Sequence, residues 1–196
     1  MLSAMVDGYR AKWGYVFAFY YAQIAPYQYD QPMAGALIRD EQRQALSSLS
    51  HSGMVVLSDV ADVMDIQPKN KSIVGDRFAS MALNRLYGFD NFPDSGPMFR
   101  SLKVEGSRLR VTFDYADDGM YLIVKELNDI YVAGADRIYY KAKAKIDGNS
   151  ILVWTGNVKF PVAVRYAFGN TQSGNLFNVD GLPASSFRTD NWPLVY

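Results

Sequence analysis

The spacing of hydrophobic residues changes near residue 90, and this change limits the possible folds more than any other feature of the sequence. Before residue 90, apolar residues recur at helical spacing or form short continuous runs. After it, apolar and polar residues alternate, as they do in strands with one buried face. We therefore predict an α/β part over residues 1–90 and a β-sandwich-like part over residues 91–196. The glycine, proline and aspartate residues within 89–97 predict a linker between the two parts.

The first part has an order of elements that is typical of a doubly wound parallel sheet. Helical spacing predicts helices at residues 2–13, 34–49 and 70–87. The apolar runs at 16–25 and 54–57 predict two strands, the first of them buried on both faces. In the helices, Trp13 and Ile38 are predicted to face the core. Because a doubly wound sheet usually has about five or six strands, we expect only the C-terminal part of such a domain, with one sheet edge left uncovered.

The second part contains roughly six or seven short strands separated by turn residues, which predicts a β-sandwich. The apolar residues at 109, 111 and 113 alternate with polar ones and are predicted to face the core. Residues 138–146 also alternate, which predicts one long strand. The solvated face of that strand would carry three lysines, Lys141, Lys143 and Lys145. The Asp147-Gly148 pair predicts a hairpin turn after it.

Composition excludes several classes of function. The chain has 20 basic and 20 acidic residues, so it has no surplus positive charge for the phosphates of nucleic acid. No apolar stretch reaches the roughly 18 residues that a membrane helix needs, and the first residues lack the pattern of a signal peptide. Because cysteine is absent, disulfides, thiolate nucleophiles and cysteine-based zinc sites are excluded. The composition leaves the compartment undetermined.

Few titratable residues are placed to carry chemistry. His51 is the only histidine, so a Ser-His-Asp triad within this chain would have to use it; an exposed histidine in a turn is the simpler interpretation. With one histidine and no cysteine, we predict neither a metal site nor a cofactor. Asp59, Asp62 and Asp65 follow a predicted strand. They could bind a cation or orient a base, but helix capping and solvated loop charges are the simpler interpretation.

Several segments, in order along nearly the whole chain, resemble one family. The most specific segment, residues 59–77, resembles a block that the family writes as Asp-Ile-His-Pro-x-Asn-Lys and then Val-Gly-x-Arg. Further resemblances lie at residues 19–27, 37–42, 130–136, 161–166 and 181–190. The family is the sialate O-acetylesterase group of SGNH-type serine hydrolases. The resemblance implies that residues 1–90 are the C-terminal part of an SGNH, flavodoxin-like domain.

The resemblance also implies an esterase that removes O-acetyl groups from sugars such as sialic acids or acetylated plant glycans. In the family, a serine attacks the ester, glycine and asparagine help to form the oxyanion hole, and a late histidine preceded by aspartate exchanges the proton. The family order places the serine, glycine and asparagine blocks before Met1, which implies a truncated chain. Members of the family are often exported.

Gln67 stands where the family has its catalytic histidine, and Asp65 lies two residues before it. The pKa of a histidine is about 6.5, whereas a glutamine amide does not titrate near neutral pH and cannot store the proton of an alcohol. We therefore expect this chain alone to be inactive. Three explanations account for Gln67. The site has degenerated naturally, it has been inactivated by engineering, or, least simply, another group replaces the histidine in proton transfer.

Aromatic residues and one arginine supply the remaining candidates. Trp192 is the best candidate among the tryptophans for stacking on a sugar ring, and Arg165 is expected to pair with Asp136 or Asp190. The aromatic residues support an alternative function, a non-catalytic sugar-binding or scaffold module. The expected partner is an O-acetylated sugar or glycan, with no nucleic acid and no membrane. A homo-oligomer or a missing N-terminal part is expected to complete the sheet.

Overall fold

A computed structural model describes residues 1–193, so residues 194–196 of the predicted second part lie outside the described residues. The first part contains three helices, α1 Leu2–Trp13, α2 Ala34–Ala45 and α3 Lys71–Tyr87. Its two strands are β1 Phe19–Ala22 and β2 Ser52–Val55. A short 3-10 helix, Ser58–Val60, follows β2. Strand β1 is shorter than the apolar run at 16–25 that predicted it, and β2 begins two residues before the predicted run at 54–57.

The strands β1 and β2 pair in parallel and are covered on both faces. On one face, Tyr21 and Met54 pack with Leu2 of α1, and α1 contacts α2. On the other face, Val55 packs with Met81 of α3. The first part is therefore a helix–sheet–helix arrangement, which explains the continuous apolar sequence of its strands.

The ends of the helices follow local sequence signals where those signals are strong. Asn70 caps α3, because its Oδ1 accepts a hydrogen bond from the N–H of Ile73 at 3.3 Å. Gly88 ends α3 at φ 74° and Gly14 ends α1 at φ 76°, in the left-handed conformation that favours glycine. These ends confirm the prediction. Helix α2 lacks such a signal and ends at Ala45 instead of the predicted residue 49.

The predicted inward faces of α1 and α2 are wrong at Trp13 and Ile38, which are 59% and 42% exposed. In α2, Arg39 and Asp40 are buried instead, because polar groups of the second part bind both of them. In α1, Arg10 is buried, because its guanidinium donates to two backbone carbonyls. Helical spacing alone locates an apolar stripe but does not reveal polar partners that come from distant residues.

The second part is built almost entirely of antiparallel strands. Its strands within the described residues are β3 Met98–Glu105, β4 Arg108–Asp114, β5 Met120–Leu122, β6 Ile130–Ala133, β7 Tyr139–Lys141, β8 Lys143–Asp147, β9 Ser150–Trp154, β10 Ala163–Tyr166, β11 Leu176–Asn178 and β12 Phe187–Arg188. They form the sheets β3-β4-β9-β8, β12-β10-β6-β7 and β11-β5. One core includes side chains of all three sheets, and Leu109, Val111 and Phe113 are fully buried in it, as predicted.

The alternating segment 138–146 does not form the single strand that was predicted. It divides at Ala142 into β7, which pairs with β6, and β8, which pairs with β9 in a different sheet. The N–H of Ala142 donates to the carbonyl oxygen of Ile130 at 3.0 Å at the division. Alternation continues through it, so sequence alone does not show where the chain changes sheets. The three lysines are exposed and the turn at Gly148 has φ 59°, as predicted.

The observed fold is a mixed α/β chain with several antiparallel sheets and few helices. The parallel sheet has two strands within residues 1–193, so a doubly wound SGNH sheet stays a prediction, as does the division at residue 90. No helix within that range is both long enough and apolar enough to cross a membrane.

Gly96 offers a test of how tightly the linker packs on the second part. A Cβ atom at residue 96 would lie 2.2 Å from the backbone oxygen of Pro183. We expect Gly96→Ala to lower the free energy of unfolding by about 1–3 kcal/mol in urea denaturation, because the backbone at Pro183 must move to make room for the new methyl group. Gly8→Ala is the matched control: its site in α1 is open, and we expect a gain of about 0.5–1 kcal/mol. If both substitutions changed the free energy of unfolding in the same direction, the close packing of residue 96 on Pro183 would be contradicted.

Candidate active site

The loop that follows β2 is held against α3 by an arginine–carboxylate pair. Arg77 donates from Nη1 to Oδ1 of Asp59 at 2.8 Å and from Nη2 to Oδ2 at 2.6 Å. The same Nη1 donates to the carbonyl oxygen of Val56 at 2.7 Å. A bidentate pair of this kind is among the stronger polar contacts in proteins. It accounts for Asp59 as a structural residue and fixes the start of the loop.

Asp62 and Asp65 fold the middle of this loop. The N–H of Asp65 donates to the carbonyl oxygen of Asp62 at 2.9 Å. The Asp62 carboxylate accepts hydrogen bonds from the N–H of Met64 at 3.1 Å and from Nζ of Lys69 at 2.8 Å. Asp65 Oδ1 accepts from the N–H of Gln67 at 3.0 Å. These are the local side-chain-to-backbone contacts that make aspartate common in turns, and they position the backbone of residue 67.

Gln67 presents its side chain to solvent at the end of this turn. The residue is exposed, and within residues 1–193 its described hydrogen bond is the backbone contact to Asp65. The following residue, Pro68, is buried, and Asn70 caps α3. The backbone is thus held on both sides of residue 67 while the amide side chain points to where a ligand could reach it.

The contact between Asp62 and Lys69 predicts that the pKa of Asp62 depends on Lys69. Hydrogen bonds from Lys69 and from the N–H of Met64 hold the pKa of Asp62 below its usual 3.8. The ionised Asp62 therefore stabilises the folded chain at pH values above its usual pKa, and this stabilisation is lost as pH falls through the lowered pKa. We expect Lys69→Ala to raise the pKa of Asp62 in an NMR titration, while Lys141→Ala on β7 leaves it unchanged. An unaltered pKa in the first variant would rule out this contact in solution.

The loop after β1 lies beside the loop after β2, at the carboxyl end of both strands. The N–H of Gln28 donates to the carbonyl oxygen of Val63 at 2.9 Å. Asn170 of the second part ties this loop in place: its Oδ1 accepts from the N–H of Gly35 at 2.9 Å, and its Nδ2 donates to the carbonyl oxygen of Gln31 at 2.9 Å. The second part therefore fixes the shape of a loop that borders the candidate site.

Two buried polar side chains, Arg39 and Gln23, join the two parts beneath these loops. Arg39 is 1% exposed and donates to Ser186 Oγ at 3.3 Å and to the carbonyl oxygen of Gly169. Burial lowers the pKa of Arg39 to about 10, so it stays charged at neutral pH. Gln23 Nε2 donates to the carbonyl oxygen of Arg39 at 3.0 Å and to Ser185 Oγ at 2.9 Å. Sequence reasoning missed these contacts, although both residues lie in segments that carry the family resemblance.

His51 lies at the opposite end of β2 from Gln67. It is exposed in a turn at φ 48°, and its carbonyl oxygen accepts a hydrogen bond from the N–H of Phe19 at the start of β1. A strand advances about 3.3 Å per residue, so the length of β2 separates the imidazole from the loop that follows it. The interpretation as an exposed turn residue is confirmed, and His51 is not placed to replace an imidazole at residue 67.

Trp192 belongs to a cluster in the second part. Arg165 donates from Nε and Nη2 to Asp190 at 2.9 and 2.8 Å, which confirms one of its two predicted partners. Tyr139 also donates to Asp190, at 2.6 Å. Burial alone would raise the pKa of Asp190, but the hydrogen bonds outweigh it and lower that pKa. Trp192 is half-buried against Tyr139 and the guanidinium of Arg137. These contacts do not include the loop of Gln67, so Trp192 as a sugar-stacking residue stays a prediction.

A cavity of about 370 Å³ lies between the outer edge of β2, α3 and the linker. Its walls are mainly apolar and include Met54, Ile73, Met81 and Pro183. The three predicted site residues, Asp65, Gln67 and Trp192, do not line it. This cavity is therefore separate from the candidate site.

Comparisons with known proteins find a similar fold in a solved structure. Neither a protein-family model nor a curated protein matches the chain. The chain is similar to the crystal structure of a novel carbohydrate acetylesterase from Xanthomonas citri, with 33% sequence identity and a TM-score of 0.89. The match covers 97% of this chain and 45% of that chain. The chain therefore spans less than half the length of that protein.

This similarity shows that the chain folds like part of a carbohydrate acetylesterase. It supports the carbohydrate-esterase portion of the resemblance seen in the sequence. The narrower assignment to sialate O-acetylesterases, and the roles of Asp65 and Gln67, stay predictions.

Proposed function

We propose that the chain is the C-terminal portion of a carbohydrate O-acetylesterase that hydrolyses acetyl esters on sugars by serine-hydrolase chemistry. The observation that carries the proposal is the match over 97% of the chain to a carbohydrate acetylesterase. The position of residue 67 supports it, because ligands of open α/β sheets bind beyond the carboxyl ends of the strands. The narrower proposal, a sialate O-acetylesterase-like enzyme, rests on the sequence resemblance.

In this proposal, residues 59–70 form the acid–base corner of the active site. Asp65 holds the backbone of residue 67, and the side chain at 67 faces the sugar oxygen that leaves the acetyl group. A histidine there would take the serine proton and return it to that oxygen. Gln67 donates and accepts hydrogen bonds but stores no proton, so it binds the leaving sugar without catalysing its departure.

A chimera tests the proposal, with this chain replacing the matched portion of the Xanthomonas citri acetylesterase. With Gln67→His, we expect the chimera to release acetate from an O-acetylated sugar and from 4-nitrophenyl acetate. This chain alone should release acetate no faster than buffer. A folded Gln67→His chimera without acetate release would overturn the proposed function, and turnover by the chain alone would overturn its predicted inactivity.

A non-catalytic sugar-binding module is the second candidate function, and the half-buried ring of Trp192 beside the exposed Arg137 favours it. Calorimetry of the chain with an O-acetylated sugar distinguishes the two. Binding that is lost in Trp192→Ala but kept in Trp154→Ala would support the module. Binding that is instead lost in Gln67→Ala would support the esterase site.

A further inference from the structure

The cavity between β2, α3 and the linker, which we call the β2 cavity, has one polar wall formed by the outer edge of β2. Within residues 1–193, β2 pairs with β1 alone. The N–H of Gln23 donates to the carbonyl oxygen of Val55, so the trans peptide that follows directs the N–H of Val56 away from β1. Because strand residues alternate in direction, the N–H and C=O of Met54 also point away from β1.

Two arginines of α3 occupy the two ends of this edge. Arg77 Nη1 donates to the carbonyl oxygen of Val56 at 2.7 Å, and Arg85 Nη1 donates to that of Ser52. Between them, the N–H and C=O of Met54 and the N–H of Val56 make no hydrogen bond within residues 1–193. Met54 and Val56 line the cavity and are only 2% and 4% exposed. Backbone groups that are buried without a partner are uncommon in proteins, so these three groups indicate a ligand.

The remaining walls of the β2 cavity are mainly apolar. Ile73 and Met81 come from α3, and Leu182 and Pro183 come from the second part. Water inside the cavity can bond to the edge of β2, but it leaves these apolar surfaces wet. A ligand that makes the same hydrogen bonds and also covers the apolar walls is therefore favoured over water. The volume, about 370 Å³, lies within the range of small-molecule sites.

The charges around the β2 cavity favour an uncharged ligand. Arg77 forms an ion pair with Asp59, and Asp94 forms one with Arg85. The positive charges at both ends of the edge are therefore already neutralised. Asp76 also lines the cavity and is exposed, so its negative charge disfavours a carboxylate in the ligand.

A dipeptide with both ends capped supplies the hydrogen bonds that this edge lacks. In either strand direction, the N–H of its second residue meets the C=O of Met54, and two of its carbonyl oxygens accept from the N–H groups of Met54 and Val56. At about 3.3 Å per residue, two residues span about 7 Å, whereas Ser52 and Val56 lie about 13 Å apart. A longer strand would meet the guanidinium of Arg77 or Arg85, so the arginines limit the length of the ligand.

We propose that the β2 cavity binds a free, uncharged apolar peptide of about two residues, such as an N-acylated dipeptide amide, as an added strand on β2. The backbone of the peptide pairs with Met54 and Val56, and one of its side chains packs on Ile73, Met81 and Leu182. The site is separate from the loop of residue 67, so the inference goes beyond the proposed function and does not depend on it.

Calorimetry of the full chain tests the proposal, with N-acetyl-leucyl-leucine methylamide as the probe. We expect saturable binding at one site per chain. In NMR, amide exchange should slow at Met54 and Val56 but not at Gly53 and Val55, whose N–H groups point towards β1. Methylating the nitrogen of the second leucine removes the donor for the C=O of Met54 and should weaken binding at least tenfold. Extending the peptide by two residues at each end should not strengthen binding, because the two arginines close the edge.

Substitutions in α3 test the location of the site. Ile73→Trp fills the cavity with an indole ring and should weaken binding at least tenfold. Ala79→Trp is the matched control, because Ala79 is exposed and does not line the cavity, and it should leave binding unchanged. Circular dichroism of each variant confirms that the chain is folded, and the methylated probe gives an independent test on the unsubstituted chain.

Several results would overturn the inference. They are no binding of the probe, equal binding of the methylated and unmethylated probes, protection from exchange at residues other than Met54 and Val56, or equal binding by Ile73→Trp and the unsubstituted chain. Tenfold tighter binding of the extended peptide would also overturn it, because the cavity would then hold a segment of a larger polypeptide.

Discussion

Replacing Asp40 with alanine is expected to lower the free energy of unfolding by about 3–5 kcal/mol, because it leaves two largely buried guanidinium groups without their carboxylate partner. The Asp40 side chain is 1% exposed. It accepts from Arg43 at 2.8 Å, from Gln44 at 2.8 Å and from Arg188 of the second part at 3.0 Å. Its loss would also remove the ion pair between α2 and β12.

Urea denaturation followed by tryptophan fluorescence measures this change, and Glu105→Ala provides the control. Glu105 also accepts from an arginine, Arg110, but on the surface of the second part, where solvent screens the pair. We expect only a small loss of stability in that variant. Equal losses in the two variants would show that the contact between the parts does not depend on Asp40.

The residues that were predicted correctly are those whose structure depends on near neighbours. Asn70 and Gly88 mark the ends of α3 because capping is decided within a few residues. Leu109, Val111 and Phe113 face the core because a strand with one buried face must alternate. The position of the acidic loop after a strand was also predicted from local sequence, but Asp62 and Asp65 accept hydrogen bonds within the loop, and Asn70 caps α3.

The features that were not predicted depend on residues far apart in sequence. Arg39 and Asp40 are buried because their partners lie in residues 167–188, and no local pattern signals those partners. The division at Ala142 is hidden because both resulting strands keep the same alternation. Likewise, Asn170 holds the loop after β1 from more than a hundred residues away. The surroundings of the loop after β1 were therefore beyond sequence reasoning, and the role of Gln67 stays a prediction.

The largest expected effect concerns residue 67 itself. In a chimera with the remaining portion of the Xanthomonas citri acetylesterase, Gln67→His should raise kcat for acetate release by a factor on the order of a million, which is what loss of the histidine costs in a serine hydrolase. The gain should appear as pH rises through the pKa of the new imidazole, about 6.5, because only its neutral form accepts the serine proton. Gln67→Asn is the control, since it changes the side chain without adding a titrating group.

Acetate release by the three chimeras, with Gln, His or Asn at residue 67, should be followed between about pH 5 and 9 to show whether residue 67 transfers the proton. We expect turnover only with histidine, with a rise near neutral pH. Turnover by the glutamine chimera that equals that of the histidine chimera would contradict it, because proton transfer would then not pass through residue 67.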